Sequence, residues 1–173
     1  MAGRVETTLQ ILLDHNAWAT RELLVCCRKL SDEELDRPFE IGPGSIRSTL
    51  THIVGAMRSW ASRIGGATPP PRTQETLSLD ELLRRCDDAA TALKETATRV
   101  SQENRLREVM TFQPAGHPEY RMTRAAALVH VTTHGMHHRG QVFNMLRRLG
   151  KPIDCDLDPI EWELAERPLD GRA

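Results

Sequence analysis

Six side chains, Ile46, Leu50, Ile53, Met57, Trp60 and Ile64, recur at alternating steps of four and three along one uninterrupted segment. That spacing holds them on one stripe of an α-helix and does not suit a strand, whose faces alternate every second residue. A helix with such a stripe has to bury it against other helices. Leu9, Leu13, Asn16, Thr20, Leu23, Cys27 and Leu30 keep the same rhythm in an earlier segment. Two seams of this kind predict a helical bundle.

Local signals set the boundaries. The first long helix is expected over residues 4–29. Ser31 with Glu34 three positions on forms a capping box for a short helical turn, and Pro38 and the Gly42, Pro43, Gly44 turn follow it. Ser45 can cap the second long helix, which Gly65 and Gly66 stop. Pro69, Pro70 and Pro71 lack N–H donors and force extended backbone, so the stretch 65–76 is a crossover loop. Ser78 and Glu81 make a second capping box, opening a third long helix to about Gln102. Between Asn104 and Thr123 the pattern changes around Pro114, Gly116 and Pro118, which suggests a small hairpin. A fourth long helix runs from Thr123 to Leu149, closed by Gly150 and Pro152, and 158–166 adds a short terminal helix. The expected fold is all-α: a four-helix bundle with a long crossover between its second and third long helices, in one domain over 1–173.

Composition narrows the function classes. With 173 residues, 39% hydrophobic and 27% charged, the chain suits an ordinary globular protein and not a disordered one. A net charge of −1 and the lack of a recognition motif argue against nucleic-acid binding. No run of about 18 apolar residues and no basic leader with an apolar stretch is present, so no membrane association and a cytoplasmic location are expected. Cys26, Cys27, Cys86 and Cys155 show no CxxC pair and are expected as small buried hydrophobes.

The chemistry concentrates in the stretch HVTTHGMHHRG, residues 130–140, which holds four of the seven histidines. Two imidazoles four positions apart on a helix lie about 40° apart around its axis and about 6 Å along it, close enough for one ion. Measured from the stripe of Leu128, Val131, Val142, Leu146 and Leu149, His138 lies about 40° and His134 about 80° away. They border the interior. His130, at about 120°, and His137, at about 140°, are expected to face solvent or a partner. A structural role for polar residues at a seam edge is the plain alternative, and a metal site still needs a ligand from another helix. His52, on the second long helix, falls about 120° off that helix's seam beside Thr49, Ala56 and Ser59, so periodicity alone does not select it.

The segments LLDHNAWAT, LTHIVGAMRSW and HGMHHRGQVFNMLRRLG together resemble the DinB, or YfiT-like, family of metal-dependent hydrolases and thiol transferases. The resemblance covers nearly the whole chain, and H-x-x-x-H-R-G-Q is its most specific part. It implies a divalent ion, zinc or nickel foremost, held by His52, His134 and His138. It also implies a cosubstrate thiol of the bacillithiol, mycothiol or glutathione type, a small-molecule substrate and a homodimer. An ion on three neutral imidazoles keeps an open position, where it could acidify a thiol for transfer or a water for hydrolysis. A metal-binding stress protein without turnover is the alternative from another class.

Further residues invite smaller roles. His15 could reach the site from the first helix, His130 could orient a ligand, and Arg139 and Gln141 of the signature invite a catalytic reading. Asp14 is the one nearby candidate for the general base that a hydrolase needs. Gly135 and Gly140 suit close helix packing. His117 sits in a turn, and Trp18 and Trp60 are expected in the core. From Thr123 to Ile153 there is no carboxylate, while Arg124, Arg139, Arg147, Arg148 and Lys151 are basic, which suggests either helix-dipole pairing or an anionic ligand.

Overall fold

The structure is a computed structural model describing residues 7–72, 75–113 and 116–166. Its elements in chain order are α1 (Thr8–Cys27), α2 (Asp32–Asp36), α3 (Ile46–Gly65), α4 (Leu79–Gln102), β1 (Val109–Phe112), β2 (Tyr120–Thr123), α5 (Arg124–Arg148) and α6 (Pro159–Glu166). The four long helices are α1, α3, α4 and α5. α3 packs against α4 and α5, and α1 packs against the same two helices. The bundle therefore places α5, with its histidines, beside α3.

The caps follow the expected chemistry with small shifts. Among the described residues α1 begins at Thr8, where Thr7 accepts from the Gln10 backbone N–H while the Gln10 side chain returns to the Thr7 N–H. Residues 4–6 lie outside the described residues. Ser31 and Ser45 cap α2 and α3 through reciprocal boxes. Ser78 accepts from Glu81 N–H, but the box is only half formed, since the Glu81 carboxylate turns outward to Arg84 and Arg85. Gly66 closes α3 at φ 88°, a left-handed cap that a side chain would strain.

Both seams are buried as their spacing requires, except that Leu9 at the start of the first is only half-buried. Ile46, Leu50, Ile53, Met57 and Ile64 are at most 1% exposed. They divide between two apolar clusters, one with Leu23, Leu24, Leu82 and Met145 and the other with Leu93, Leu128 and Val131. β1 and β2 form the antiparallel hairpin, with Phe112 opposite Tyr120 and Met110 opposite Met122. Pro114 and Ala115 of its turn lie outside the described residues. The hairpin leads directly into α5, whose first turn is capped by Thr123. Among the described residues, no helix is long and apolar enough to cross a membrane.

Candidate metal centre

His52 comes from the middle of α3, and His134 and His138 from successive turns of α5. The His52 and His134 Nε2 atoms are 3.0 Å apart, and those of His134 and His138 are 3.2 Å apart. One ring nitrogen from each of the three lies within 4.8 Å of the others. All three rings are half-buried.

Hydrogen bonding sets the direction of one ring. The Gln141 side-chain carbonyl can only accept, so His138 Nδ1 donates to it over 2.8 Å and leaves Nε2 with a bare lone pair. The Gln141 amide in turn donates to His137 Nε2 at 3.0 Å. Gln141 is itself held in place. A Cβ on Gly42, whose φ is +54°, would stand 2.0 Å from its Oε1. The signature glutamine is thus a positioning residue for His138, clasped against the turn before α3.

Electrostatics favour neutral imidazoles. Burial pushes His134 down to about 3, and His138, His52, His130 and His137 add to that shift. Burial, then His138 and Arg72, push His52 down to about 4. Neutral rings are the form that binds metal. Three ring nitrogens converging this closely repel one another unless protons or a cation lie between them. A four-coordinate ion with bonds of about 2.0–2.1 Å would set its ligand nitrogens about 3.3 Å apart, near the spacing found. His134 Nδ1 is buried without a partner, and the ring's polar contacts are made through Nε2, to His52 and His138. The triad could hold one divalent ion.

The cavity in front of the triad has a volume of about 890 Å³ and is bordered by His52, His130 and His134, Trp60 and Phe112, and the crossover at Pro70 and Pro71. His130 is a correction to the periodicity reading. It is half-buried at the cavity edge and packs edge-on against Trp60, with ring centroids 5.0 Å apart. Trp60 is buried as expected, yet one side of it forms the cavity wall.

Other candidates lie elsewhere. His15 sits apart from the triad, its Nε2 2.9 Å from the Leu157 carbonyl and its ring between Trp18 and Trp162. Arg139 is 4% exposed and points the opposite way, donating to Asn16 Oδ1 at 2.9 Å and Thr20 Oγ1 at 3.1 Å. Its helical position, one residue past His138, turns it about 100° away from the cavity toward α1. Asp14 is paired with Lys94 at 2.5 Å across α1 and α4. His117 and His137 are exposed. Three further basic residues of 123–153 are also engaged away from the cavity: Arg124 with Glu108 and the Ile64 carbonyl, Arg148 over Phe39, and Lys151 with Glu34.

The DinB family model matches residues 5–167, nearly the full chain and the whole of the triad. The chain belongs to the DinB family. A DinB-family relative, Protein DinB of Bacillus subtilis (strain 168), is 24% identical over 149 residues, covering 80% of this chain and 84% of that protein. The crystal structure of a DinB-like protein from Bacillus cereus ATCC 10987 superposes with a TM-score of 0.60 at 22% identity, covering 79% of this chain and 87% of that one. That likeness shows the DinB fold, an all-α bundle.

Proposed function

We propose that this DinB-family protein is a metal-dependent enzyme that transfers a low-molecular-weight thiol to small electrophiles. The observation that carries the reading is the convergence of three imidazole nitrogens at the edge of an open cavity, with no carboxylate bonded to any of them among the described residues. A divalent ion on His52, His134 and His138 would supply the positive charge that turns a bound thiol into a thiolate near neutral pH.

The chain's own residues do the remaining work. Gln141 fixes the His138 ring, and burial keeps His52 and His134 neutral. Trp60 and Phe112 form an apolar wall against which an electrophile can lie. Transfer forms a carbon–sulfur bond and expels the electrophile's leaving group, while the thiol proton passes to buffer. The protein offers no thiolate of its own: burial pushes Cys27 and Cys86 up to about 12 and raises Cys26 and Cys155. The nucleophilic sulfur has to come from a cosubstrate. Hydrolysis is the less supported chemistry, because Asp14, the base available by sequence, is committed to Lys94.

The test is to incubate zinc- or nickel-loaded protein with bacillithiol, mycothiol or glutathione and with monochlorobimane. A rate that is lost in the His52, His134 and His138 triple-alanine variant is expected. No rate above that variant with any of the three thiols rejects the transferase reading.

A further inference from the structure

The cavity wall beyond the triad is strongly basic. Six arginines border it against two carboxylates, Asp36 and Glu75. Two of the six are already neutralised, Arg47 by Asp32 and Asp36, and Arg85 by Glu81. Arg63 is different. It forms no ion pair among the described residues, although it is partly buried between two aromatic faces. Its guanidinium carbon lies 5.9 Å from the Trp60 ring centre and 5.6 Å from that of Phe112, and its Nη1 donates to Ser59 Oγ at 3.2 Å.

Arg72, from the crossover, borders the same cavity as Arg63 and His52, so two cations with no ion pair among the described residues face the space next to the triad. Burial also makes the Arg63 cation less favourable. Two like charges brought together at a partly desolvated aromatic wall are costly without a counter-ion. An anionic ligand would relieve that cost, and a planar guanidinium fits a carboxylate in paired hydrogen bonds. Arg63 comes from α3 and Arg72 from the proline-stiffened crossover, so the pair forms only in the folded chain.

We propose that this cavity takes a small organic anion, with its acid group held by Arg63 and Arg72 and an aromatic or apolar body lying on Trp60 and Phe112. This names the substrate class of the proposed metal site and rests on that reading only for which end of the ligand reacts. The basic residues on α5, which raised the idea of an anionic ligand in the sequence, do not contribute to it.

Isothermal titration with 3-phenylpropionate and its neutral amide, 3-phenylpropanamide, tests the inference on zinc-loaded wild type, chelator-stripped wild type, R63Q and R72Q. The acid should bind about tenfold or more tighter than the amide, the scale of one charge-assisted pair, whether or not zinc is present. R63Q and R72Q should each lose most of that preference. Arg72 lies on the exposed crossover, so R72Q keeps the test valid if R63Q fails to fold. Equal binding of acid and amide, a preference that survives both substitutions, no binding of either probe at about 10 mM, or a preference seen only with zinc would each overturn it. Failure of the metal reading would appear separately, as absence of zinc uptake, and leaves the stripped-protein comparison intact.

Discussion

His52 and His134 bring their Nε2 atoms to 3.0 Å from one another across the contact between α3 and α5, although 82 positions separate them in the chain. A contact of this range is a product of the bundle, since neither helix alone holds the two rings together. Its geometry depends on rings that are aimed, and only His138 among the three shows how the aiming is done.

Gln141 is the residue that aims it. Replacing Gln141 with Ala removes the acceptor for His138 Nδ1 and frees the ring to rotate or change tautomer. Loss of a group in this role typically weakens metal affinity about 10- to 100-fold. Q141A should therefore lower zinc affinity on that scale in a chelator-competition titration while leaving helical circular dichroism unchanged. Gly42→Ala should weaken zinc binding in the same direction, because its Cβ would displace the Gln141 amide.

Two glycines on α5 should behave in opposite ways. A Cβ at Gly135 would lie 2.5 Å from Asn16 Oδ1 and 3.1 Å from Arg139 Nη1, disturbing a buried polar cluster. Gly135→Ala should cost about 1–3 kcal/mol, as overpacking generally does. A Cβ at Gly140 meets nothing within 4 Å. Gly140→Ala should stabilise the helix by about 0.5–1 kcal/mol, the ordinary difference between these residues in a helix. Urea unfolding of the two variants measures both effects, and equal shifts would contradict the close approach of α1 to α5 at Gly135.

Stability without metal should fall as the solution is acidified. Burial lowers His15, His52, His130 and His134, with His52 near 4 and His134 near 3. Below the ordinary imidazole value of about 6.5, the unfolded chain takes up protons that the folded state refuses. The folded state thus loses ground from about pH 6.5 down to about pH 3, where His52 and then His134 have titrated in place. Thermal melts of chelated protein should show this slope, and His134→Leu should make it shallower. A flat profile would mean that these rings are not held neutral.

The bundle was legible because its core repeats. The four-three rhythm of Ile46 to Ile64 marks a stripe that is buried as the spacing requires, and the caps at Ser31 and Ser45 formed as their chemistry predicts. His134 and His138 were legible for the same reason, since both border an apolar stripe on their own helix. His52 was not. α3 packs on both α4 and α5, so a residue about 120° off one seam still faces a neighbour, and periodicity within a single helix cannot report a second interface. His130 was misread for a related reason: Trp60 of α3 packs against its ring at the cavity edge, a contact between two helices that periodicity within α5 does not report. The free Arg63 left no periodic signal, because its environment comes from Phe112 and Arg72, distant in sequence.

Zinc titration of untagged protein, compared with the His52→Ala, His134→Ala and His138→Ala variants, tests the shared metal site most directly. One equivalent per chain in the wild type, lost in each variant while the helical spectrum and the apolar core persist, is the expected result. Wild-type protein that takes up no divalent ion, or three variants that bind as well as the wild type, would contradict it.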